Sequence, residues 1–257
     1  MNTMPHLTLF VDINRTITLV NTVQQKDNET SIAELVAEQC ILADGRSYKK
    51  MITSQGGSDE ENYAAYRKLL TELDSYPRPE YLRMLEAKLR GALAAQEGSV
   101  FRSFIVLLEN LRAARMSHTV VLRSFGSDTS DVISAIEAAV PGVEFTVQGR
   151  FARGKLLVND CVVSEIQQLS QAPYQSWQDD HPYWKEHGES WEGGKPFPIA
   201  KGVNIFLDDN AARKEIIAVR PSIRDHLIES GDVVAVDTVE ALLDRSYFWQ
   251  LIHHRLN

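Results

Sequence analysis

Short apolar runs alternate with helix-patterned segments along most of this chain. The first run, at residues 7–11 (LTLFV), is rich in β-forming residues and stops at a polar cluster. Similar runs at 119–123 (TVVLR), 204–207 (NIFL) and 232–236 (DVVAV) predict further strands. Because helical patterns separate these strands, we expect an α/β fold with a mostly parallel, Rossmann-like sheet and flanking helices.

One long stretch, residues 26–96, interrupts this alternation. It contains successive helical patterns, among them 59–74 and 78–96, and shows no strand pattern. We therefore expect a helical cap domain inserted at 26–96. The core domain would then consist of residues 1–25 together with 97–257.

Four segments carry weaker patterns. We expect a loop at 47–58, a strand at 143–147 (VEFTV) and a helix at 210–218. Residues 172–198, which are rich in Trp, His, Pro and Gly, are expected to be irregular. Their aromatic side chains are consistent either with a lid over a substrate or with a long loop packed onto the core.

Charge and composition narrow the classes of partner. The formal net charge is -8 and the pI about 5.4, so the chain lacks the positive field that favours nucleic acid or anionic membranes. No apolar run approaches the roughly 18 residues needed to cross a bilayer. The two cysteines are far apart and form no metal-binding pair. We expect a soluble, cytoplasmic protein that binds neither nucleic acid nor membrane.

Polar residues follow three of the predicted strands. The first strand ends in Asp12 to Thr16, the second in Ser124 and the third in Asp208 and Asp209. Each residue alone is more typical of a turn or a helix cap. Together they point to one ligand site, because open α/β sheets bind ligands beyond the carboxyl ends of their strands. A carboxylate at Asp12 is a candidate nucleophile for phosphorus, and Asp208 or Asp209 would help it hold Mg²⁺.

In these motifs the chain resembles the haloacid dehalogenase superfamily. The matching segments are FVDINRTI, VVLRSFG and IFLDDNA, and the resemblance covers roughly 7–20 and 100–245. It implies that Asp12 is the nucleophile, that Ser124 binds phosphate, and that Asp208 and Asp209 form the acidic magnesium site. It further implies that the backbone carbonyl of Asn14 binds the metal, and that the 26–96 insertion is a substrate-covering cap.

The resemblance also calls for a phosphate-binding lysine. Lys195, in GGKPFP, is the first choice because many relatives have a Lys-Pro pair at this motif. The short separation between Lys195 and Asp208 leaves little room for the usual intervening helix, so Lys201 and Lys155 remain alternatives.

Asn14 is the main departure from the family pattern, because phosphatases of this superfamily usually have an acid/base Asp at that position. An Asn side chain forms hydrogen bonds but exchanges no proton at neutral pH. The leading hypothesis is a Mg²⁺-dependent phosphohydrolase that acts on a small phosphorylated molecule through an aspartyl phosphate. The alternatives are a catalytically impaired phosphate- or metal-binding protein, and phosphoryl transfer to an acceptor other than water. The sequence gives no indication of substrate identity or oligomeric state.

Overall fold

The computed structural model describes residues 5–19, 26–163, 172–199, 201–212 and 215–256. Within these ranges the chain is an α/β protein with one eight-stranded, mixed and mostly parallel sheet. The strands are β1 (Leu7–Asp12), β2 (His118–Ser124), β3 (Val147–Ala152), β4 (Lys155–Val158), β5 (Cys161–Val162), β6 (Tyr174–Gln178), β7 (Val203–Asp208) and β8 (Val233–Ala235). The helices are α1 (Asn28–Gln39), α2 (Tyr48–Thr53), α3 (Asp59–Thr71), α4 (Pro79–Ala94), α5 (Arg102–Ala113), α6 (Thr129–Ala139), α7 (His181–Glu186), α8 (Pro221–Ser230), α9 (Thr238–Leu243) and α10 (Tyr247–Leu256).

The strand order is β5-β4-β3-β6-β2-β1-β7-β8. Strand β1 lies between β2 and β7 and is parallel to both, and β8, β6 and β3 extend the parallel part outwards. The edge strands β4 and β5 are antiparallel. The prediction of a mostly parallel α/β sheet is therefore confirmed, and β1, β2 and β7 end side by side.

Both faces of the central strands are buried. On β1, Leu9 and Val11 belong to a large apolar cluster with α5 and α10, whereas Phe10 belongs to a second cluster on the opposite face. This division follows from the alternation of side chains along a strand. It explains why the central strands are continuous apolar runs, as is usual for parallel sheets with both faces covered.

The 26–96 stretch, which the structure describes in full, is helical and contributes no strand to the sheet. The chain leaves the sheet after β1 and returns beside its point of departure, where the Phe101 N–H donates to the Ile17 carbonyl at 2.7 Å. Residues of the insertion, such as Leu35 and Leu89, share the large apolar cluster with Leu9. The insertion is thus joined to the sheet by apolar packing.

Three of the weaker sequence predictions are wrong. Residues 48–53 form α2 instead of a loop, because Ser47 caps this helix by accepting the Lys50 N–H. The predicted strand at 143–147 is displaced, since β3 begins at Val147 in register with β6. The predicted helix at 210–218 is not found in the described part of that segment, where Ile217 instead forms a β-bridge with Lys195.

The segment expected to be irregular contains a central strand. Residues 174–178 (YQSWQ) form β6, which lies between β2 and β3. Trp177 is buried against Phe10, so this tryptophan is a core residue and not part of a lid. The buried side chain of Gln175 accepts from Trp177 Nε1 at 3.2 Å and donates to the Ala172 carbonyl at 3.0 Å.

Candidate active site at the ends of three strands

Lys195 lies between two carboxylates at the ends of β1 and β7. Its Nζ donates to an oxygen of Asp12 and, at 2.8 Å, to Oδ2 of Asp208. The lysine side chain is only 1% exposed. Lys155 and Lys201, the other candidates, are both exposed. The structure therefore brings Lys195 to Asp12.

The backbone of Lys195 explains how it reaches the site without an intervening helix. Its N–H donates to the Ile216 carbonyl at 2.7 Å, and its carbonyl accepts from the Ala218 N–H at 2.8 Å. These bonds hold Lys195 alongside the 216–218 segment. The side chain thereby reaches the strand ends directly.

Asp12, Asp208 and Asp209 form a compact acidic triad. One oxygen from each carboxylate lies within 4.8 Å of the others, and all three residues are buried. Burial raises the pKa of Asp12 well above its ordinary value; Lys195 partly opposes this rise, and repulsion from Asp208 and Asp209 adds to it. Burial likewise raises the pKa of Asp209 to about 6, against the lowering effect of Arg15. Although burial opposes it, the two facing carboxylates keep the pKa of Lys195 above its usual value.

The donor set of the triad fits Mg²⁺. Magnesium prefers hard oxygen ligands, and an ionised carboxylate offers about four lone-pair sites, more than the hydrogen bonds from Lys195, Thr16 and the Asn210 N–H occupy on Asp12 and Asp208. Besides Lys195, Asp12 accepts from Thr16 Oγ1 at 3.2 Å and Asp208 accepts from the Asn210 N–H at 2.8 Å. A divalent cation would also offset the repulsion among three buried carboxylates.

Thr16 joins the two halves of the triad. While its hydroxyl donates to Asp12, the same oxygen accepts the Asp209 N–H at 3.1 Å. Sequence reasoning placed Thr16 in the polar cluster after β1 but gave it no role. Its position four residues after Asp12, in the quoted FVDINRTI motif, was the available signal.

Asn14 and Ser124 also meet at this edge. Asn14 Nδ2 donates to Ser124 Oγ at 3.2 Å, and the Gly126 N–H donates to the same oxygen at 2.8 Å. The Ser124 hydroxyl in turn donates to Asp128 Oδ1 at 3.2 Å. Sequence reasoning missed Asp128, because an Asp before a helix is usually an N-cap residue.

Arg15 connects the triad to the helical insertion. Its buried guanidinium lies 3.9 Å from Asp209 and pairs with Glu34 and Glu38 of α1 at 3.4 and 2.9 Å. Its backbone has a φ of +60°, a conformation that residues other than glycine adopt infrequently. Sequence reasoning assigned no role to Arg15. Ion pairs of a buried arginine across separate elements leave no signature in one sequence.

A cavity of about 170 Å³ lies beside the triad. Its lining includes Arg15 and Asp209, Glu38 and Gln39 of α1, and Thr238 after β8. The cavity therefore lies between α1 of the insertion and the segment that follows β8. Its volume is below the roughly 300–1,000 Å³ of typical small-molecule sites.

Comparisons of the chain with known protein families, with curated proteins and with solved structures found no match. Among the described residues, no helix is both long enough and apolar enough to cross a membrane. Fold and site together define an α/β protein with a buried Asp–Asp–Asp–Lys cluster at the carboxyl ends of β1 and β7.

Proposed function

We propose that this chain is a magnesium-dependent phosphohydrolase that acts on a small phosphorylated molecule. The observation that carries the proposal is the buried Lys195 ammonium between Asp12 and Asp208, with Asp209 completing an acidic triad. In this proposal residues 1–25 and 97–257 form a core of the haloacid dehalogenase type. The 26–96 insertion is its cap.

Asp12 and Asp208 or Asp209, with the backbone carbonyl of Asn14, are the proposed magnesium ligands. The bound cation would reduce the repulsion between an anionic nucleophile and an anionic phosphate. The three carboxylates are offset only in part by Lys195 and by Arg15, which is shared with Glu34 and Glu38, so the ionised cluster attracts a divalent cation.

In the proposed reaction, a carboxylate oxygen of Asp12 attacks phosphorus as the bond to the ester oxygen breaks. The products are an aspartyl phosphate and an alcohol, whose oxygen takes its proton from water because Asn14 supplies none. Water then hydrolyses the aspartyl phosphate, which releases inorganic phosphate and restores the carboxylate. The pairing of Asp12 with Lys195 and Thr16 favours this role, because both contacts fix the orientation of the carboxylate.

Lys195 and Ser124 are the proposed ligands of the non-bridging phosphate oxygens. Lys195 is fully buried and cationic, so it offsets the charge that develops on these oxygens. The Ser124 hydroxyl has a single hydrogen, which it donates to Asp128 in the structure. Binding of phosphate would redirect this hydrogen from Asp128 to the ligand.

Asn14 supports a second candidate function, a phosphate- or metal-binding protein with impaired turnover. The Asn14 amide donates a hydrogen bond to Ser124, but it does not release a proton to a leaving group at neutral pH. General acid–base catalysis typically contributes about 10²–10⁴-fold, so its loss slows the reaction without removing the metal ligands. Turnover of unactivated alkyl phosphates distinguishes the two functions.

The magnesium site is tested by calorimetric titration of the Asp12→Asn and Asp208→Asn variants. Each variant removes one carboxylate charge from the triad, so we expect Mg²⁺ affinity to fall measurably in both. Asp131→Asn is the matched control, because Asp131 is exposed on α6. Unchanged magnesium affinity in both triad variants would disprove the site.

A further inference from the structure

We infer that Arg123 and Asp179 form a buried ion pair that positions Lys195 for phosphate binding. The inference deepens the proposed function and rests on it. Neither residue belongs to the triad or is needed as a ligand. Both contact the polypeptide segments that carry the candidate phosphate-binding groups.

Arg123 and Asp179 are paired through two hydrogen bonds. Arg123 Nε donates to Asp179 Oδ2 at 3.1 Å, and Nη2 donates to the other carboxylate oxygen. The side chains of Arg123 and Asp179 are 0% and 1% exposed. Burial raises the pKa of Asp179, although Arg123 opposes the rise. Such a pair is weak support for stability as such, because the cost of desolvation offsets most of the attraction.

The remaining nitrogen of the guanidinium, Nη1, contacts the segment that carries Lys195. Arg123 Nη1 donates to the Pro196 carbonyl at 2.8 Å. This bond fixes the backbone immediately after Lys195, whereas the bridge to 216–218 fixes the residue itself. A lysine with a long flexible side chain needs such an anchored backbone if its ammonium is to stay between two carboxylates.

The same pair also borders Ser124 and the loop after β1. The Asp179 N–H donates to the Ser124 carbonyl at 2.7 Å, and the Arg123 carbonyl accepts the Ile13 N–H at 3.1 Å. Arg123 therefore contacts the loop between Asp12 and Asn14 through its backbone and the Lys195 segment through its side chain. The ion pair thus connects three parts of the site: the loop after β1, the Lys195 segment and Ser124.

An aromatic environment keeps the guanidinium in place. Its central carbon lies 5.0 Å from the ring centre of Phe151, 5.3 Å from that of Trp177 and 5.6 Å from that of Phe206. Arginine suits this place because its planar fork combines stacking with several fixed hydrogen bonds. A lysine at this position would retain the charge but not the simultaneous contacts to Asp179 and Pro196.

The test is the rate at which acetic anhydride labels the Lys195 amine, measured by mass spectrometry. This rate is compared between the wild type and the Arg123→Met/Asp179→Leu double variant. Removing both charges avoids leaving one buried charge unpaired. Lys26 is the internal control, since it is buried and paired with Glu34 at 2.6 Å, away from Arg123. We expect Lys195 to react several-fold faster while the rate at Lys26 is unchanged. If the double variant does not fold, Arg123→Lys supplies the same measurement with a buried charge retained.

Activity is the second readout. Because a displacement of about 1 Å can cost 10²-fold, we expect kcat/KM for an aryl phosphate to fall about 10²-fold in the double variant. Leu111→Ala, in the apolar cluster on the other face of the sheet, controls for lost stability and should retain most of the activity. An unchanged Lys195 labelling rate, or equal acceleration at Lys195 and Lys26, would overturn the positioning role. If the wild type neither binds nor hydrolyses phosphate, but the double variant still shows the expected acceleration at Lys195, the proposed function alone is refuted.

Discussion

Replacing Lys195 with methionine tests whether a buried ammonium is paired with the carboxylates of Asp12 and Asp208. The variant removes the buried ammonium that contacts Asp12 and Asp208, while the aliphatic length of the side chain is nearly kept. Loss of one partner from a buried ion pair typically costs about 3–5 kcal/mol, because the remaining charge stays buried. For a chain of this size, each kcal/mol lowers Tm by about 2–4 °C. We therefore expect a decrease of about 6–20 °C in magnesium-free buffer.

Added Mg²⁺ should restore part of the lost Tm, because its charge would replace that of the missing ammonium beside the three carboxylates. A ligand at 100 times its Kd stabilises the folded state by about 2.7 kcal/mol. The assay is thermal unfolding with and without Mg²⁺, with Lys155→Met and Lys201→Met as exposed controls. Exposed substitutions usually change stability by about 0.5 kcal/mol or less. If Lys195→Met has the same Tm as the Lys155→Met and Lys201→Met controls, the buried ion cluster does not exist as described.

Three further predictions concern neighbouring groups. Asn14→Asp should raise the turnover of alkyl phosphates by up to about 10²–10⁴-fold, and it should raise the turnover of an activated aryl phosphate less. Magnesium affinity should change little. If the folded, metal-bound variant stays inactive, the missing acid is not what limits turnover. Thr16→Val should cost about 1.5–3 kcal/mol in denaturant unfolding, because the Asp12 carboxylate and the Asp209 N–H both lose a partner, and an unchanged midpoint would contradict that bond pair. Although burial opposes it, the nearby Arg15, Lys49 and Lys26 lower the pKa of Glu34 from 4.5 to about 2. Glu34 should therefore contribute up to about 3 kcal/mol of stability that is lost as pH falls from about 4.5 towards 2, and Glu34→Gln should lose correspondingly less stability than the wild type over that range.

The central strands could be predicted because each is a continuous apolar run buried on both faces. β1, β2 and β7 have this character, and their polar ends identified Asp12, Ser124 and Asp208 as neighbours. Strand β6 could not be recognised in this way. Its buried Gln175 and Ser176 give the segment a polar composition, and the partners that satisfy Gln175 are known only from the structure.

The contacts that hold the site together were less predictable than its residues. Lys195 could be proposed from its sequence context, but its pairing with Asp12 depends on the bridge to Ile217, where a helix was predicted. Arg15 and Arg123 act through contacts distant in the chain, with Glu34 and Asp179 respectively. No local pattern encodes such pairs.

The most direct test of the proposed function is release of inorganic phosphate from an aryl phosphate by the purified protein. The measurement compares added Mg²⁺ with a chelator, and wild type with Asp12→Asn, which keeps the shape of the side chain but removes its nucleophilic charge. We expect phosphate release that requires both Mg²⁺ and Asp12. Release that persists in Asp12→Asn, or that is unaffected by the chelator, would contradict it, and so would a folded, magnesium-bound wild type that releases none.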